Sequence, residues 1–291
     1  MAESARNVRE PALPAPRWPD ASRTALAALQ AEALAELASH SDADDIAVRL
    51  YAAAAELGSE HLETAADAAT YRAAIRAGTL PGPARVLGVA ARKRWIARAA
   101  EQALAAGVPQ VVVLGAGFDT LGLRLRKVDR DLVVVELDRP ATLAAKAEAV
   151  VRAAMAPPWP RFAAADLEDA PVLGSALVRS GWRPSAPTLF VAEVVLEYLA
   201  PDAALAVLAQ LADLGARGSR LACTVRFGDA SDDSLAATTA AAGEAMRFRP
   251  AAAALPGLLA GAGFEVLAEC GRAGARGGAA ALLLLRPSAR R

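Results

Sequence analysis

Two cysteines, two histidines and three lysines are all that this 291-residue chain holds of those residue types. Cys223 and Cys270 sit in apolar stretches far apart in sequence, so both are expected to be packing residues and not a disulfide. With only His40 and His61 and no close thiol pair, a zinc site has almost no material, and no metal is expected. Charge of either sign is not in excess: Lys plus Arg and Asp plus Glu number 32 each, so no overall field draws nucleic acid or an anionic membrane. Any partner must be recognised locally. The longest apolar run, Ala279 to Leu285, is far short of the ~20 residues of a membrane span, and the Pro-rich stretch Met1 to Asp20 lacks the apolar core of a secretory signal. The expected location is the cytoplasm.

What the chain does hold is 55% hydrophobic and 22% charged residues, the composition of a globular protein. Much of the apolar content is alanine, and arginine fills every basic position except Lys93, Lys127 and Lys146. We read this as a GC-rich coding bias that carries little functional weight. Beyond segment 1–20, which is expected to be disordered, Leu26, Leu29, Leu34 and Leu37 lie on one helical face, and helical sequence continues to Arg76. The cluster "TLPGPAR", Thr79 to Arg85, breaks it. Residues 21–84 are therefore expected to form a helical cap and 85–291 a second unit.

In that second unit a helix over Val89 to Ala105 precedes the β-branched run Val111 to Leu114. Strand patterns follow at Asp131 to Asp138, Arg161 to Glu168, Thr188 to Val195 and Ser219 to Phe227, with helical stretches between them. Such alternation argues for an α/β fold with a doubly wound, Rossmann-like parallel sheet. After "LPGLLAGAGFEVLAEC", the glycine-rich Gly271 to Gly278 leads to a strand at Ala279 to Arg286 with no room for a crossover helix, so the last pair should be an antiparallel hairpin. Seven strands ending this way are the layout of class I methyltransferases.

Ligands of open α/β sheets bind beyond the carboxyl ends of the strands, so the residues there carry the functional reading. Gly115-Ala116-Gly117 follows the first strand, and glycine lets a ligand approach the main chain closely. A dinucleotide fingerprint needs a third glycine where this chain has Thr120, which weakens a pyrophosphate reading. Glu136 and Asp138 share one side of the second strand, and either could accept hydrogen bonds from a ribose diol; Asp138 is nearer the strand end. Asp166-Leu167 follows the third strand, suited to an adenine amine and ring face, or to capping the next helix. Glu193, an acid inside the apolar "VAEVVLEYL", needs a ligand or an internal arginine as partner. Arg92 and Arg94, in "AARKRWIARA", are close in sequence to the glycine turn and could pair with an α-carboxylate.

The segments "VVVLGAGFDTLGLRL", "VVELDRPATLAAK", "AADLED" and "VAEVVLEYLAPDAALAVLAQL", in this order and spacing, resemble the leucine carboxyl methyltransferase family. That family includes the enzyme that methylates the C-terminal leucine of protein phosphatase 2A and many bacterial O-methyltransferases of small-molecule metabolism. The resemblance covers roughly Arg85 to Arg286 and implies S-adenosyl-L-methionine as cofactor. By position it implies that Gly115 and Gly117 floor the methionine moiety, Asp138 binds the ribose, Asp166 and Leu167 the adenine, Glu193 touches the cofactor and Arg92 meets its carboxylate. The family's bacterial pattern has Arg where this chain has Leu121 and Asp where it has Ala97, while Arg124 is kept.

The expected activity is methyl transfer to a carboxylate or acidic hydroxyl of a small molecule or chain terminus, with Tyr198 and Arg226 as candidates to orient the acceptor. No general base is evident. The competing readings are a methyltransferase-like binding protein without turnover and a nicotinamide-dependent dehydrogenase.

Overall fold

The computed structural model describes residues 23–39, 46–57, 83–228, 239–240, 243–270 and 280–288. The segment 1–20, His40, His61, residues 79–82 of the turn cluster, the helical reading between 58 and 76, and the Gly271 to Gly278 turn lie outside the described residues.

Two helices open the described chain, α1 (Arg23–Ser39) and α2 (Ile46–Leu57), followed by the long α3 (Pro83–Ala105). The last begins earlier than its apolar pattern predicts, because proline is well suited to the first helical turn, where its missing N–H is no loss. Then come β1 (Gln110–Leu114), α4 (Leu121–Val128), β2 (Val133–Asp138), α5 (Pro140–Arg152), β3 (Arg161–Ala164), α6 (Leu173–Arg179), β4 (Thr188–Ala192), α7 (Pro201–Leu214), β5 (Arg220–Arg226), α8 (Leu255–Gly261), β6 (Phe264–Cys270) and β7 (Ala280–Pro287). Several strand ends differ from expectation: β3 stops at Ala164, four residues short of Glu168, and β5 is one residue shorter at each end, while two other shifts have local causes. The Asp129 carboxylate accepts the N–H groups of Asp131 and Leu132, at 2.8 and 3.1 Å, and delays β2 to Val133. At the far end of β4, Val194 has φ 51° and turns the chain out of the sheet, so Glu193 lies just beyond the strand.

The seven strands form one sheet in the order β3-β2-β1-β4-β5-β7-β6. β1 to β5 are parallel, and β7 runs antiparallel between β5 and β6, as the short final connection requires. The strand order reverses between β1 and β4, which opens a crevice at their carboxyl ends. Both faces of the parallel region are covered: Val112, Leu114, Leu137 and Phe190 pack under α6 and α7, whereas Val111, Val113, Val134 and Val191 pack against Ile96 and Ala100 of α3. That explains why these strands read as continuous apolar runs and not as alternation. A third cluster joins Leu26 and Leu29 of α1 and Leu50 of α2 to Phe118 and to Ala145 and Val150 of α5, seating the first two helices over the turn after β1. The side chains of Leu34 and Leu37 lie outside the described residues. Cys223 is buried in β5, but Cys270, expected to pack, is exposed on the edge strand β6. Among the described residues no helix is long and apolar enough to cross a membrane.

Candidate functional site

Gly115 and Gly117 follow β1 with φ of +57° and +46°, the left-handed region open to glycine at little cost. A Cβ on Gly115 would stand 2.2 Å from Val195 Cγ2, and one on Gly117 would stand 2.7 Å from Ala25 Cβ. The turn is thus squeezed between the residues after β4 and helix α1. Gly115→Ala should lower the unfolding free energy by about 2–4 kcal/mol, from backbone strain and overpacking together, as read by urea denaturation. An unchanged midpoint would show that Val195 yields freely.

The Gly117 N–H donates to Asp138 Oδ2 at 2.6 Å, and the Arg139 N–H donates to Oδ1 at 2.7 Å. Each carboxylate oxygen can accept one further hydrogen bond, and Asp138 is among the residues lining the cavity described below. Burial pushes the Asp138 carboxyl above its ordinary range, against the pull of those two N–H groups. Glu136, the other acid of β2, is removed from consideration: it is fully buried and forms an ion pair with Lys146 of α5 at 2.5 Å. Lys146 Nζ also donates to the Asp119 carbonyl at 2.6 Å, which ties the glycine turn to α5.

Glu193 finds internal cations. Arg92 Nε donates to its Oε1 at 2.6 Å, and Lys93 Nζ stands 3.2 Å from its Oε2. Lys93 also reaches Asp119 at 3.0 Å and Glu32 of α1 at 3.7 Å, so one ammonium gathers carboxylates from three parts of the chain. Burial opposes the Lys93 charge, but Asp119, Glu193 and Glu32 outweigh it and hold the ammonium form well above its usual range. Burial would raise Asp119, yet Lys93, Lys146 and the Leu121 N–H together lower it. Arg94 is exposed and takes no part. Thr120, buried, donates its hydroxyl to Glu32 and accepts from Arg124 Nε at 2.9 Å; Arg124 in turn pairs with Glu36. Where a dinucleotide site has its third glycine, this chain fastens α1 to the turn. Leu121, at the position of the family's arginine, packs with Leu125 and Ile96 in the core.

Arg92, Gly115, Gly117, Asp138, Asp166, Leu167, Glu193, Tyr198 and Arg226 all line one cavity of about 920 Å³, at the upper end of the ~300–1,000 Å³ typical of small-molecule sites. Asp166 is exposed and its carboxylate also accepts the Glu168 N–H at 3.0 Å, so it closes its own turn while edging the cavity. Leu167 is 6% exposed and packs in the core. Thr24, Ala25 and Ala28 of α1 supply the opposite wall. Burial raises the Tyr198 phenol, with Thr24 hydrogen bonding working against it.

Next to Tyr198 in sequence, Glu197 is 1% exposed. Burial pushes its carboxyl up to about 7, with Thr224, Arg92 and Arg226 pulling the other way. A folded-state acid that holds its proton to about pH 7, against about 4.5 unfolded, contributes stability that is full below pH 4.5 and lost as pH rises through 7. The expected loss is ~3 kcal/mol. Glu197→Gln should flatten that part of the stability profile measured by denaturant titration at several pH values; a native profile left unchanged by the substitution would overturn the assignment.

Glu32, Lys93, Asp119 and Glu197 escaped the sequence reading. For Lys93 and Lys146 a signal existed. In a chain that uses arginine at almost every basic position, two of the three lysines form buried ion pairs beside the site.

Comparison with known proteins agrees with this layout. A family model described as "Leucine carboxyl methyltransferase" matches residues 23–212. A protein of Saccharopolyspora erythraea, provisionally named an S-adenosyl-L-methionine-dependent methyltransferase, is 41% identical over 129 residues, 44% of this chain and 42% of that protein. The matched stretch thus spans under half the length of that relative. Two solved structures share the fold. One is a protein of the DUF574 family from Streptomyces avermitilis, with TM-score 0.57 and 18% identity over 89% of this chain and 97% of that one. The other, provisionally named a methyltransferase, is from Thermobifida fusca, with TM-score 0.55 and 21% identity over 83% and 94%.

Proposed function

The chain belongs to the leucine carboxyl methyltransferase family, and from that premise we propose that it binds S-adenosyl-L-methionine in the cavity and methylates an oxygen of a small-molecule acceptor. The observation that carries the reading is the pairing of Asp138 with the Gly115–Gly117 turn: a carboxylate with free lone pairs, held by the turn's own N–H, at the carboxyl edge of the sheet. The donor set fits a cofactor without phosphate. Its acids suit hydroxyl, ammonium and sulfonium groups, and Thr120, the position a pyrophosphate would need open, is committed to Glu32.

Under this reading Asp138 binds the ribose hydroxyls, Asp166 and Leu167 flank the adenine, Glu193 contacts the amino-acid portion and Arg92 receives its carboxylate with the guanidinium nitrogens left over from Glu193. Bound there, the cofactor would supply an activated methyl group on a sulfonium. The protein's task is then alignment and exclusion of water. Helix α1, fastened over the turn through Glu32 and Thr120, supports reading residues 21–84 as a cap over a cofactor-binding unit of 85–291. Tyr198 and Arg226 are the residues we assign to orienting the acceptor; a guanidinium favours a carboxylate or an acidic hydroxyl, neither of which needs a strong base at neutral pH. Isothermal titration with S-adenosyl-L-methionine, followed by a methyl-transfer assay over carboxylate and phenol acceptors, tests both halves. Absence of binding would overturn the cofactor; binding without transfer to any acceptor would favour a methyltransferase-like binding protein.

A further inference from the structure

Among the described residues lining the cavity, Val194 is the non-glycine residue with a left-handed backbone. It is β-branched and left-handed, a combination rare enough to need support from its surroundings. Its neighbours on either side line the cavity: Glu193 holds Arg92, and Val195 presses on Gly115. The support comes from β5. The Val194 N–H donates to Thr224 Oγ1 at 2.7 Å, and the same hydroxyl donates its only proton to Glu197 Oε1 at 2.9 Å. Glu197 thus decides which way the hydroxyl points, leaving its lone pairs for Val194. The other carboxylate oxygen, Oε2, is buried with no hydrogen-bond partner among the described residues.

We propose that Glu197 is a positioning residue of the candidate site: through Thr224 it holds the left-handed Val194 turn, and so sets where Glu193 and Val195 meet the cavity. As a statement about cofactor binding this rests on the function proposed above. The carboxylate form grips the hydroxyl more strongly than the acid form, since charge-assisted hydrogen bonds are roughly twice as strong as neutral ones. The turn therefore tightens as Glu197 loses its proton. The groups that face it are Arg92 from α3, Arg226 and the Cys223 thiol from β5, and Tyr198 beside it. Burial exceeds the pull of the two guanidinium groups and brings the change to about pH 7. The Glu197 carbonyl separately accepts the N–H groups of Arg247 and Phe248, at 2.7 and 3.0 Å, so a side-chain substitution leaves that anchor in place.

The test compares the native chain, Glu197→Gln, Thr224→Val and Thr224→Ser. Without ligand, the Val194 amide resonance should titrate with a midpoint near pH 7 in the native chain and Thr224→Ser, and should stay flat in Glu197→Gln and Thr224→Val. Affinity for S-adenosylhomocysteine, by calorimetry on either side of that pH, should rise about fivefold in the native chain, the increment of one charge-assisted bond. It should be pH-independent in Glu197→Gln. A Val194 amide that does not move in the native chain, or moves identically in Glu197→Gln, overturns the relay. A native chain in which the amide titrates but no S-adenosylhomocysteine binds overturns the cofactor reading instead, and with it the relay's role in binding. Binding that keeps its pH dependence in Glu197→Gln overturns that role alone.

Discussion

Lys146→Met is expected to cost about 3–5 kcal/mol of unfolding free energy, because it strands the fully buried Glu136 carboxylate without its partner charge. Both side chains are fully buried, and burial already pushes the Glu136 carboxyl upward despite the ammonium beside it. Space for the carboxylate is made by Gly122 of α4, where a Cβ would stand 2.3 Å from Glu136 Oε1. The companion Glu136→Leu with Lys146→Met replaces the pair by apolar groups and should recover most of the loss, as buried ion pairs often exchange for hydrophobic ones at little net cost. What the double variant cannot restore is the Lys146 hydrogen bond to the Asp119 carbonyl. It should therefore fold well yet bind cofactor more weakly than the native chain. Urea denaturation of the single and double variants decides the matter: a single variant within 1 kcal/mol of native, on the order of experimental error for such extrapolations, would mean the pair is solvated.

Asp138→Ala should weaken S-adenosyl-L-methionine binding by about 100-fold or more. Two hydrogen bonds from hydroxyl groups to a carboxylate are worth roughly 1.5–3 kcal/mol each, and the alanine also frees the Gly117 and Arg139 N–H groups that now lie on the two oxygens. Asp138→Asn separates the two contributions. It keeps the shape and one acceptor oxygen but turns an NH2 donor onto one of those two backbone N–H groups, so it should bind between native and alanine and lower the melting temperature measurably. Calorimetric titration of the three proteins checks the order; undiminished binding by Asp138→Ala would remove this residue from the site and with it the main support for the proposed function.

The sheet and its edge were legible because both depend on short-range pattern. A strand covered on both faces must be apolar throughout, as Val111 to Leu114 is, and a residue just beyond it is at the sheet edge wherever the helices go. That is why Gly115, Asp138, Leu167 and Glu193 could be placed at the sheet edge one after another; these four line one cavity, whereas the candidates Arg94 and Glu136 do not. The final hairpin was legible for the same reason, since the length of a connection limits its crossing.

The charge network was not legible, and the reason is distance along the chain. Glu32 meets Thr120 across 88 positions, and Arg92 meets Glu193 across 101. No local spacing encodes which acid a cation will find once helices pack. Sequence alone left Glu193 between a ligand and an arginine; packing of α3 against β1 and β4 supplied Arg92 and Lys93 together. In the same way Glu197 reads in sequence as a second acid in the apolar "VAEVVLEYL", and only the folded chain buries it, brings Thr224 of β5 to it and shifts its ionisation. The sequence by itself determined the succession of strands along the chain, the glycine turn and the carboxylates at the strand ends, because backbone sterics and hydrophobic burial act within a few residues. Only the tertiary structure decided which of those charges are paired with one another and which lone pairs remain for a ligand, because desolvation and Coulomb attraction depend on separation in space.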